Sequence, residues 1–237
     1  MISGDYVELK DGEISKAVEA YGEAWKHPHL PLMQYVSVLA HELERLKQGI
    51  PVEPFETLLG AMRSLRLEAG TSVLDVGAAT GYYAEVLRIG KVPVRYHGVD
   101  FSEGFVALGR ALFAGVSLDC ADARCLPFAQ STFDVVLSGA CMMHVVDYPR
   151  MLAELARVAK RYVILHRTPV VEGKTQVFSK LAYGIRCIEI HFGDRELEER
   201  FACAGLATVR VYDGKRNHRT YVLEKMLPEP YASNPNV

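Results

Sequence analysis

Residues 73–83 read VLDVGAATGYY, a short apolar pattern that runs into a turn with Gly77 at its start and Gly81 at its end. An apolar run of this length, bounded by glycine, is typical of a buried strand. Gly77 allows torsions or a close approach that a Cβ would hinder, and Gly81 lets the next helix begin close to the strand. In an open α/β sheet such a turn lies at the carboxyl edge, where ligands bind. The stretch therefore predicts the start of a ligand-binding α/β domain.

Strand and helix patterns alternate after residue 70. The strand-like runs are SVLDV, VRYHGVD, VSLD, FDVVLSG and YVILH, and helical patterns follow the first, second and fourth of them. This alternation predicts a mostly parallel sheet with helices on both faces. After Pro169 we expect a loop, then an amphipathic helix at 194–204, then an antiparallel hairpin at 207–225.

The first 69 residues are predominantly helical in pattern. Apolar residues recur at helical spacing, most clearly at Leu32, Val36, Leu39, Leu43 and Leu46, which we expect to share one buried face. We therefore divide the chain into three parts. Residues 1–69 form a helical cap that does not fold independently, residues 70–226 form the α/β domain, and residues 227–237, rich in proline and asparagine, form a flexible tail.

The composition argues against several classes of protein. Hydrophobic residues make up 49% and charged residues 24% of the chain, and no apolar run approaches the roughly 20 residues of a membrane helix. A formal net charge of -2 argues against a nucleic-acid partner. The N-terminus lacks a signal-peptide pattern, and five cysteines, mostly in apolar stretches, indicate buried free thiols. We expect a cytoplasmic protein with neither a nucleic-acid nor a membrane partner, and the sequence leaves its oligomeric state open.

Three aspartates follow three successive strand patterns. Asp75 directly precedes the glycine turn, where a carboxylate would repel a pyrophosphate but could hold a cationic amino group. Asp100 lies 19 residues beyond Gly81, close to the roughly 20 expected for an acid that binds ribose hydroxyls. Asp122 follows the third strand, where its carboxylate could accept from an adenine amino group. We expect all three to surround one nucleoside-containing ligand, with Phe101 packed on its adenine.

With these residues the sequence resembles the class I S-adenosylmethionine (SAM)-dependent methyltransferases over roughly residues 70–225. The resemblance implies a Rossmann-like, seven-stranded, mostly parallel sheet that ends in an antiparallel hairpin. It implies SAM as cofactor, S-adenosylhomocysteine as product and a small-molecule acceptor with an oxygen or nitrogen nucleophile. The expected cofactor residues are Asp75, Gly77, Ala78, Ala79, Gly81, Asp100, Phe101, Ser102, Asp122, Ala123 and Ser138.

Four further residues are candidates for catalysis or acceptor binding. His144, just past the fourth strand, has the pKa range of a general base, and its alternative role is a structural imidazole that hydrogen-bonds the backbone. Trp25, Arg167 and His191 are candidates for the acceptor pocket, with Arg167 directly after the fifth strand and suited to a carboxylate or phosphate. We expect no metal site, since Cys141-x-x-His144 lacks a second ligand pair.

Two other functions remain open. An NAD-linked oxidoreductase would share the strand, the turn and Asp100, but should show G-x-G-x-x-G instead of the G-x-x-x-G found here. A non-catalytic SAM-binding protein is the second alternative, because Ala79 stands where the family commonly has a glycine.

Overall fold

The strand that carries Asp75 lies near the centre of a mixed sheet. The computed structural model describes residues 6–226, apart from the side chain of Val38, so the flexible-tail prediction for 227–237 lies outside the described residues. Within that range the strands are β1 (Tyr6–Glu8), β2 (Thr71–Val76), β3 (Val94–Asp100), β4 (Ser117–Cys120), β5 (Phe133–Gly139), β6 (Ala159–Val171), β7 (Gln176–Ala182), β8 (Ile185–Gly193), β9 (Leu206–Asp213) and β10 (His218–Lys225). The helices are α1 (Asp11–Tyr21), α2 (Leu30–Gln34), α3 (Ala40–Lys47), α4 (Glu53–Ser64), α5 (Tyr82–Ile89), α6 (Glu103–Leu112), α7 (Tyr148–Val158) and α8 (Asp194–Cys203).

Seven strands form a series in the order β4-β3-β2-β5-β6-β10-β9. The first five are parallel, and β10 runs antiparallel to both β6 and β9, so the predicted C-terminal hairpin is present. The chain moves outward from β2 to β4 and then returns to β5 on the other side of β2. The order of the strands therefore reverses between β2 and β5, and ligands of open α/β sheets bind at such a reversal.

The sheet is larger than predicted. Ten strands are present among residues 6–226, where the resemblance implied seven, and the loop expected after Pro169 is wrong. Strand β6 continues to Val171, and its last two residues pair in parallel with Phe192 and Gly193 of β8. Strand β8 pairs antiparallel with β7, and β7 pairs with β1. Tyr183 and Gly184, both with positive φ, make the two-residue turn that closes the β7–β8 hairpin.

Helices cover both faces of the sheet. Leu58 of α4, Val86 of α5 and their neighbours pack on one face, against Val135 and Ile164. Residues of α7 and α8, with Ala17 of α1, join the core on the other face. None of the helices within residues 6–226 is long and apolar enough to cross a membrane.

A π-helical turn, Tyr35–Leu39, separates α2 from α3 and corrects the predicted N-terminal face. Leu39, Leu43 and Leu46 are buried as expected, but Leu32 and Val36 are 58% and 63% exposed. A π turn holds one more residue than an α turn, so Leu32, before it, and Val36, within it, are rotated relative to the residues after it. The five leucine and valine positions therefore do not share one face.

The thiols also differ from expectation. Cys120, Cys125 and Cys203 are exposed, and Cys187 is buried in the core. Cys120 ends β4, which pairs with β3 at one end of the strand order, and Cys203 ends α8. Ends of edge elements retain solvent contact even where the local sequence is apolar.

Candidate cofactor and acceptor site

The turn after β2 is tightly closed against the strands beside it. Gly77 has φ 74°, and a Cβ built on it would overlap the Cβ and Sγ of Cys141. The backbone N–H groups of Gly77 and Ala78 both donate to the Val99 carbonyl, and the Ala79 N–H donates to Asp100. These three amides are already satisfied by the protein. The turn is thus poorer in free donors than a phosphate-binding loop requires.

Asp75 is fully buried at the carboxyl end of β2. Its Oδ2 accepts a 2.6 Å hydrogen bond from the Tyr96 hydroxyl, and its Oδ1 has no partner among the described residues. Burial raises the pKa of Asp75 to about 7; the Tyr96 bond acts against this shift, and the negative charge of Asp100 adds to it. A buried carboxylate oxygen without a donor costs free energy, and a ligand ammonium or hydroxyl would relieve it.

Asp100 is also buried, at the end of β3. Its Oδ2 accepts from Ala79 N–H and its Oδ1 from Ser102 N–H, both at 2.9 Å. Burial raises the pKa of Asp100, and these backbone bonds oppose the shift. Each carboxylate oxygen still has a lone pair for a hydroxyl donor. Next to it, the Phe101 ring lies 5.3 Å from Lys26 Nζ, measured to the ring centre.

Asp122 is less available than the sequence suggested. Its Oδ2 lies 2.6 Å from a guanidinium nitrogen of Arg124, and its Oδ1 accepts from the Arg124 backbone N–H at 2.8 Å. The Arg124 side chain, the largest cause, lowers the pKa of Asp122. A local turn explains this pairing, since Asp side chains readily bond the backbone two residues on. Ala123, the other adenine candidate, lies within this turn and is partly buried.

The charges of all three carboxylates act on Cys141. Burial raises the pKa of its thiol, and the nearby charges of Asp100, Asp75 and Asp122 raise it further, in that order. The residue begins the segment that leads from β5 to a short 3-10 helix, Met142–His144. On the preceding strand, the buried Ser138 hydroxyl donates to the Val76 carbonyl at 2.9 Å and ties β5 to β2. The structure therefore brings the predicted cofactor residues to one edge of the sheet.

His144 faces this edge from the 3-10 helix. Its Nδ1 lies 2.7 Å from the Ile188 carbonyl oxygen, a contact in which Nδ1 must carry the hydrogen. Burial lowers the pKa of His144, so its imidazole is neutral near pH 7 and Nε2 is the basic nitrogen. The backbone bond expected for a structural histidine is thus present. That same bond orients the ring for proton transfer at Nε2.

Trp25 covers His144 from the N-terminal segment. The two ring centres are 4.7 Å apart, and Tyr183 and Phe105 each lie 6.4 Å from the indole. The indole N–H is buried without a partner among the described residues. An aromatic wall with an unsatisfied donor is suited to a planar, polar acceptor.

His191, the third acceptor candidate, belongs to a separate cluster on β1, β7 and β8. Its Nε2 lies 3.0 Å from Glu189 Oε1, and the same carboxylate contacts Tyr6 and Lys180. Its ring packs against those of Tyr6 and Phe178, whereas the Trp25 ring packs against His144. Glu189 nonetheless affects His144, because the negative charge of Glu189 opposes the lowering of the His144 pKa by burial.

Arg167 lies within β6 and not after it, so the predicted position needs correction. Its φ of 57° is in the left-handed region, which is rare for a side chain other than glycine. The preceding His166 is buried, with Nδ1 2.8 Å from the Thr220 hydroxyl and its ring centre 5.7 Å from that of Tyr83.

Three residues that matter here were missed from the sequence. Tyr96 bonds Asp75, Cys141 packs against Gly77, and His166 lies on the neighbouring part of β6. Each sits in an otherwise apolar stretch where a core role is the first interpretation. Only the register shows that Tyr96, two residues before Gly98, faces Asp75, because Asp75 and Gly98 are direct neighbours.

The chain is similar to known methyltransferases over its central part. A family model described as a methyltransferase domain matches residues 74–165. A ubiquinone/menaquinone biosynthesis C-methyltransferase of Geobacter sulfurreducens is 40% identical over 115 residues, which are 44% of this chain and 45% of that protein. A demethylmenaquinone methyltransferase of Shouchella clausii is 38% identical over 106 residues, 42% and 45% of the two chains. The match spans less than half the length of these relatives.

A solved structure extends the likeness in fold. The 1,6-didemethyltoxoflavin-N1-methyltransferase of Burkholderia thailandensis, solved with 1,6-didemethyltoxoflavin and S-adenosylhomocysteine, matches with a TM-score of 0.58 and 21% identity. The match covers 85% of this chain and 91% of that one. The predicted resemblance to the SAM-dependent methyltransferases is confirmed over residues 74–165, which match a methyltransferase domain. The chain has the class I Rossmann-like fold found in those enzymes.

Proposed function

We propose that this chain transfers the methyl group of SAM to a small aromatic acceptor at the edge formed by β2, β3 and β5. The observation that carries the proposal is the pair of buried carboxylates, Asp75 and Asp100, beside a turn whose first three amides are already satisfied. Two carboxylates suit a ligand with an ammonium and ribose hydroxyls, and they repel a pyrophosphate. This arrangement favours SAM over the NAD alternative.

Each cofactor contact has a residue suited to it. The free Oδ1 of Asp75 would accept from the amino group of the methionine part, and Asp100 would accept from the ribose hydroxyls. Phe101 would pack against the adenine, and Asp122, already paired with Arg124, would contribute least. When bound, SAM supplies an electrophilic methyl on a sulfonium, so alignment of the acceptor accounts for most of the acceleration.

His144 would remove a proton from the acceptor. Its Nδ1–H is held by the Ile188 carbonyl, which leaves Nε2 able to accept a hydroxyl proton. Loss of that proton increases the nucleophilicity of a phenolic oxygen and of the ring carbon beside it. The same base thus suits the oxygen acceptor predicted from the sequence and the carbon acceptor named for the quinone relatives.

Residues 1–69 would form the cap over this acceptor. The segment supplies Trp25, whose indole covers His144, and Glu42, which lies near Arg167. A cytoplasmic location and the lack of a nucleic-acid partner remain predictions.

Calorimetry with SAM, S-adenosylhomocysteine and NAD tests the cofactor. We expect saturable binding of the first two, and Asp100→Ala should weaken S-adenosylhomocysteine binding about ten- to hundredfold, the scale of a charge-assisted hydrogen bond. Asp119→Ala, which removes an exposed carboxylate from the neighbouring strand β4, is the matched control and should bind normally. Binding of NAD alone would refute the proposal. Incubation with SAM and a panel of hydroxylated quinols, read by mass spectrometry, tests methyl transfer and separates an enzyme from a non-catalytic SAM-binding protein.

A further inference from the structure

A cavity of about 270 Å³ lies beside the cofactor edge, between α3, α4, β6 and the β9–β10 loop. This volume is close to the lower end of small-molecule sites, about 300 Å³. His166, Arg167 and Thr220 line its wall on the sheet, and Glu42 and Glu53 line its helical wall. None of these residues belongs to the cofactor contacts described above.

A β-bulge aims two consecutive side chains into this cavity. Thr168 pairs with Arg219 and Leu165 with Tyr221, so β6 has one more residue than β10 across this interval. Neighbouring residues of a regular strand point to opposite faces, but at the bulge both His166 and Arg167 line the same cavity. The positive φ of Arg167 belongs to this irregularity. Strained backbone of this kind clusters at ligand sites.

The Arg167 guanidinium has no partner at bonding distance among the residues that the structure describes. Within residues 6–226, no carboxylate lies within 4.0 Å of it, and it makes no hydrogen bond there. Glu42 is the acidic residue whose charge acts on it, and burial raises the pKa of Glu42 while the charge of Arg167 lowers it. A guanidinium carries five donors in a planar fork, and that of Arg167 lines the cavity with none of them used by the described residues.

One further polar atom of the cavity wall lacks a partner among the described residues. His166 Nε2 is buried without a hydrogen bond within residues 6–226. Burial lowers the pKa of His166 to about 3, so this imidazole is neutral. If the Thr220 hydroxyl donates to Nδ1, the hydrogen of His166 lies on Nε2 and is available to a ligand on the Arg167 side.

Arg167 also connects the cavity to the aromatic wall of the acceptor site. Tyr183 is close enough for its pKa to be affected by Arg167, and the Tyr183 ring lies 6.4 Å from that of Trp25. Trp25 in turn covers His144. Arg167, Tyr183, Trp25 and His144 therefore form a series of neighbours from the cavity to the proposed base.

We propose that this cavity binds an oxyanion group of the acceptor, a carboxylate or a phosphate, in a bidentate contact with Arg167. The inference rests on the proposed methyl transfer for the identity of the ligand as an acceptor. It narrows the acceptor to an aromatic molecule that carries an anionic group some distance from the methylated atom. Glu42, on the opposite wall, would set an upper limit on the affinity by repelling the anion.

Calorimetry with benzoate, phenyl phosphate and uncharged benzamide tests this site, with and without saturating S-adenosylhomocysteine. We expect at least one anion to bind saturably and benzamide to bind far more weakly. Arg167→Gln should weaken the anion about tenfold or more, and Arg167→Lys, which keeps the charge but not the fork, should lie between. Glu42→Gln should act in the opposite direction and strengthen binding. Lys47→Gln, an equal loss of charge on the exposed side of α3, should change nothing.

Equal binding of benzamide, failure of both anions, or an unchanged affinity in Arg167→Gln would each overturn the inference. Opposite effects of the Arg167 and Glu42 variants cannot arise from misfolding, since a damaged fold would weaken both. Failure of S-adenosylhomocysteine to bind would instead refute the proposed function. Anion binding that depends on Arg167 would then remain as a separate result.

Discussion

Replacing Gly77 by alanine should disturb the cofactor turn through one identifiable contact. The new Cβ would lie within 3.0 Å of both Cβ and Sγ of Cys141, whereas Cys141 Cα is 3.8 Å away, an ordinary contact. The substitution also places a side chain at φ 74°, in the left-handed region. These two costs have separate origins, so a second substitution can distinguish them.

The left-handed conformation costs an L-residue about 1–2 kcal/mol, and overpacking costs about 1–3 kcal/mol. Gly77→Ala should therefore lower the free energy of unfolding by about 2–5 kcal/mol. Cys141→Gly removes both clashing atoms. In the double variant only the conformational cost of an alanine at position 77 should remain, so the coupling between the two positions should be favourable by about 1–3 kcal/mol.

Urea unfolding of the four proteins of this double-mutant cycle measures the coupling. Calorimetry with S-adenosylhomocysteine shows whether ligand affinity recovers together with stability in the double variant. We expect both the affinity and the free energy of unfolding to recover in part. Gly90→Ala is not a suitable control, because it would clash with Leu59; Gly115→Ala, also at positive φ but with no atom within 4 Å of the new Cβ, isolates the conformational cost. A coupling near zero would show that Cys141 does not limit the space at residue 77.

Three further predictions concern titration and buried charge. The pKa of Asp75 is raised to about 7 from an ordinary value of 3.8, so the folded state holds this proton more tightly than the unfolded chain does. The stabilisation that results is complete below about pH 4 and is lost as the pH rises through 7. Urea unfolding between about pH 5 and 8 should therefore show a decline in the free energy of unfolding, and Asp75→Asn should reduce that decline. His144→Ala should abolish turnover while the affinity for S-adenosylhomocysteine is retained, and loss of folding would instead indicate a structural role alone. Because burial lowers the pKa of His144, the acid limb of the pH profile of kcat in the wild-type protein should lie below the ordinary imidazole value of about 6.5. Glu189→Gln leaves the Lys180 ammonium without its carboxylate and should lower the free energy of unfolding, measured by heat or urea, by about 3 kcal/mol. The exposed control Glu199→Gln should change it little. Equal effects of the two variants would exclude a stabilising role for the cluster around Glu189.

The sequence predicts the cofactor half of the molecule well because its signals are local. The strand that ends in Asp75, the turn from Gly77 to Gly81 and the acid at position 100 lie in short consecutive stretches, and each needs only its neighbours to be interpreted. The β7–β8 hairpin was missed for a different reason. Glu189 is buried on β8, and its partner Lys180 lies on the adjacent strand, so charged residues interrupt the alternation that marks a strand.

The acceptor half depends on relations between distant residues. The position of Arg167 near the end of the fifth strand pattern can be read from the sequence. The side of the sheet on which its side chain lies depends on a bulge, which becomes visible only from the register of β6 with β10. Leu32 and Val36 fit an apolar stripe until the π turn rotates them outward. A prediction from sequence periodicity assumes the same number of residues in every helical turn and in every paired position of two strands. Both predictions failed where the structure adds one residue, in the π turn and in the bulge of β6.

The hairpin of β7 and β8 is joined to the rest of the fold in two ways. Within residues 6–226 its backbone ladder with β6 has two residue pairs, at Val170 and Val171, and its residues Ile188, Ile190 and Phe192 pack in the core with α7 and α8. Its link to the proposed base is the backbone carbonyl of Ile188, which any residue at that position would provide. Chimeras that exchange this hairpin but retain its three core residues would therefore keep the orientation of His144 while presenting a different surface to the acceptor. The fold thus offers a route to new acceptor preferences that leaves the cofactor edge unchanged.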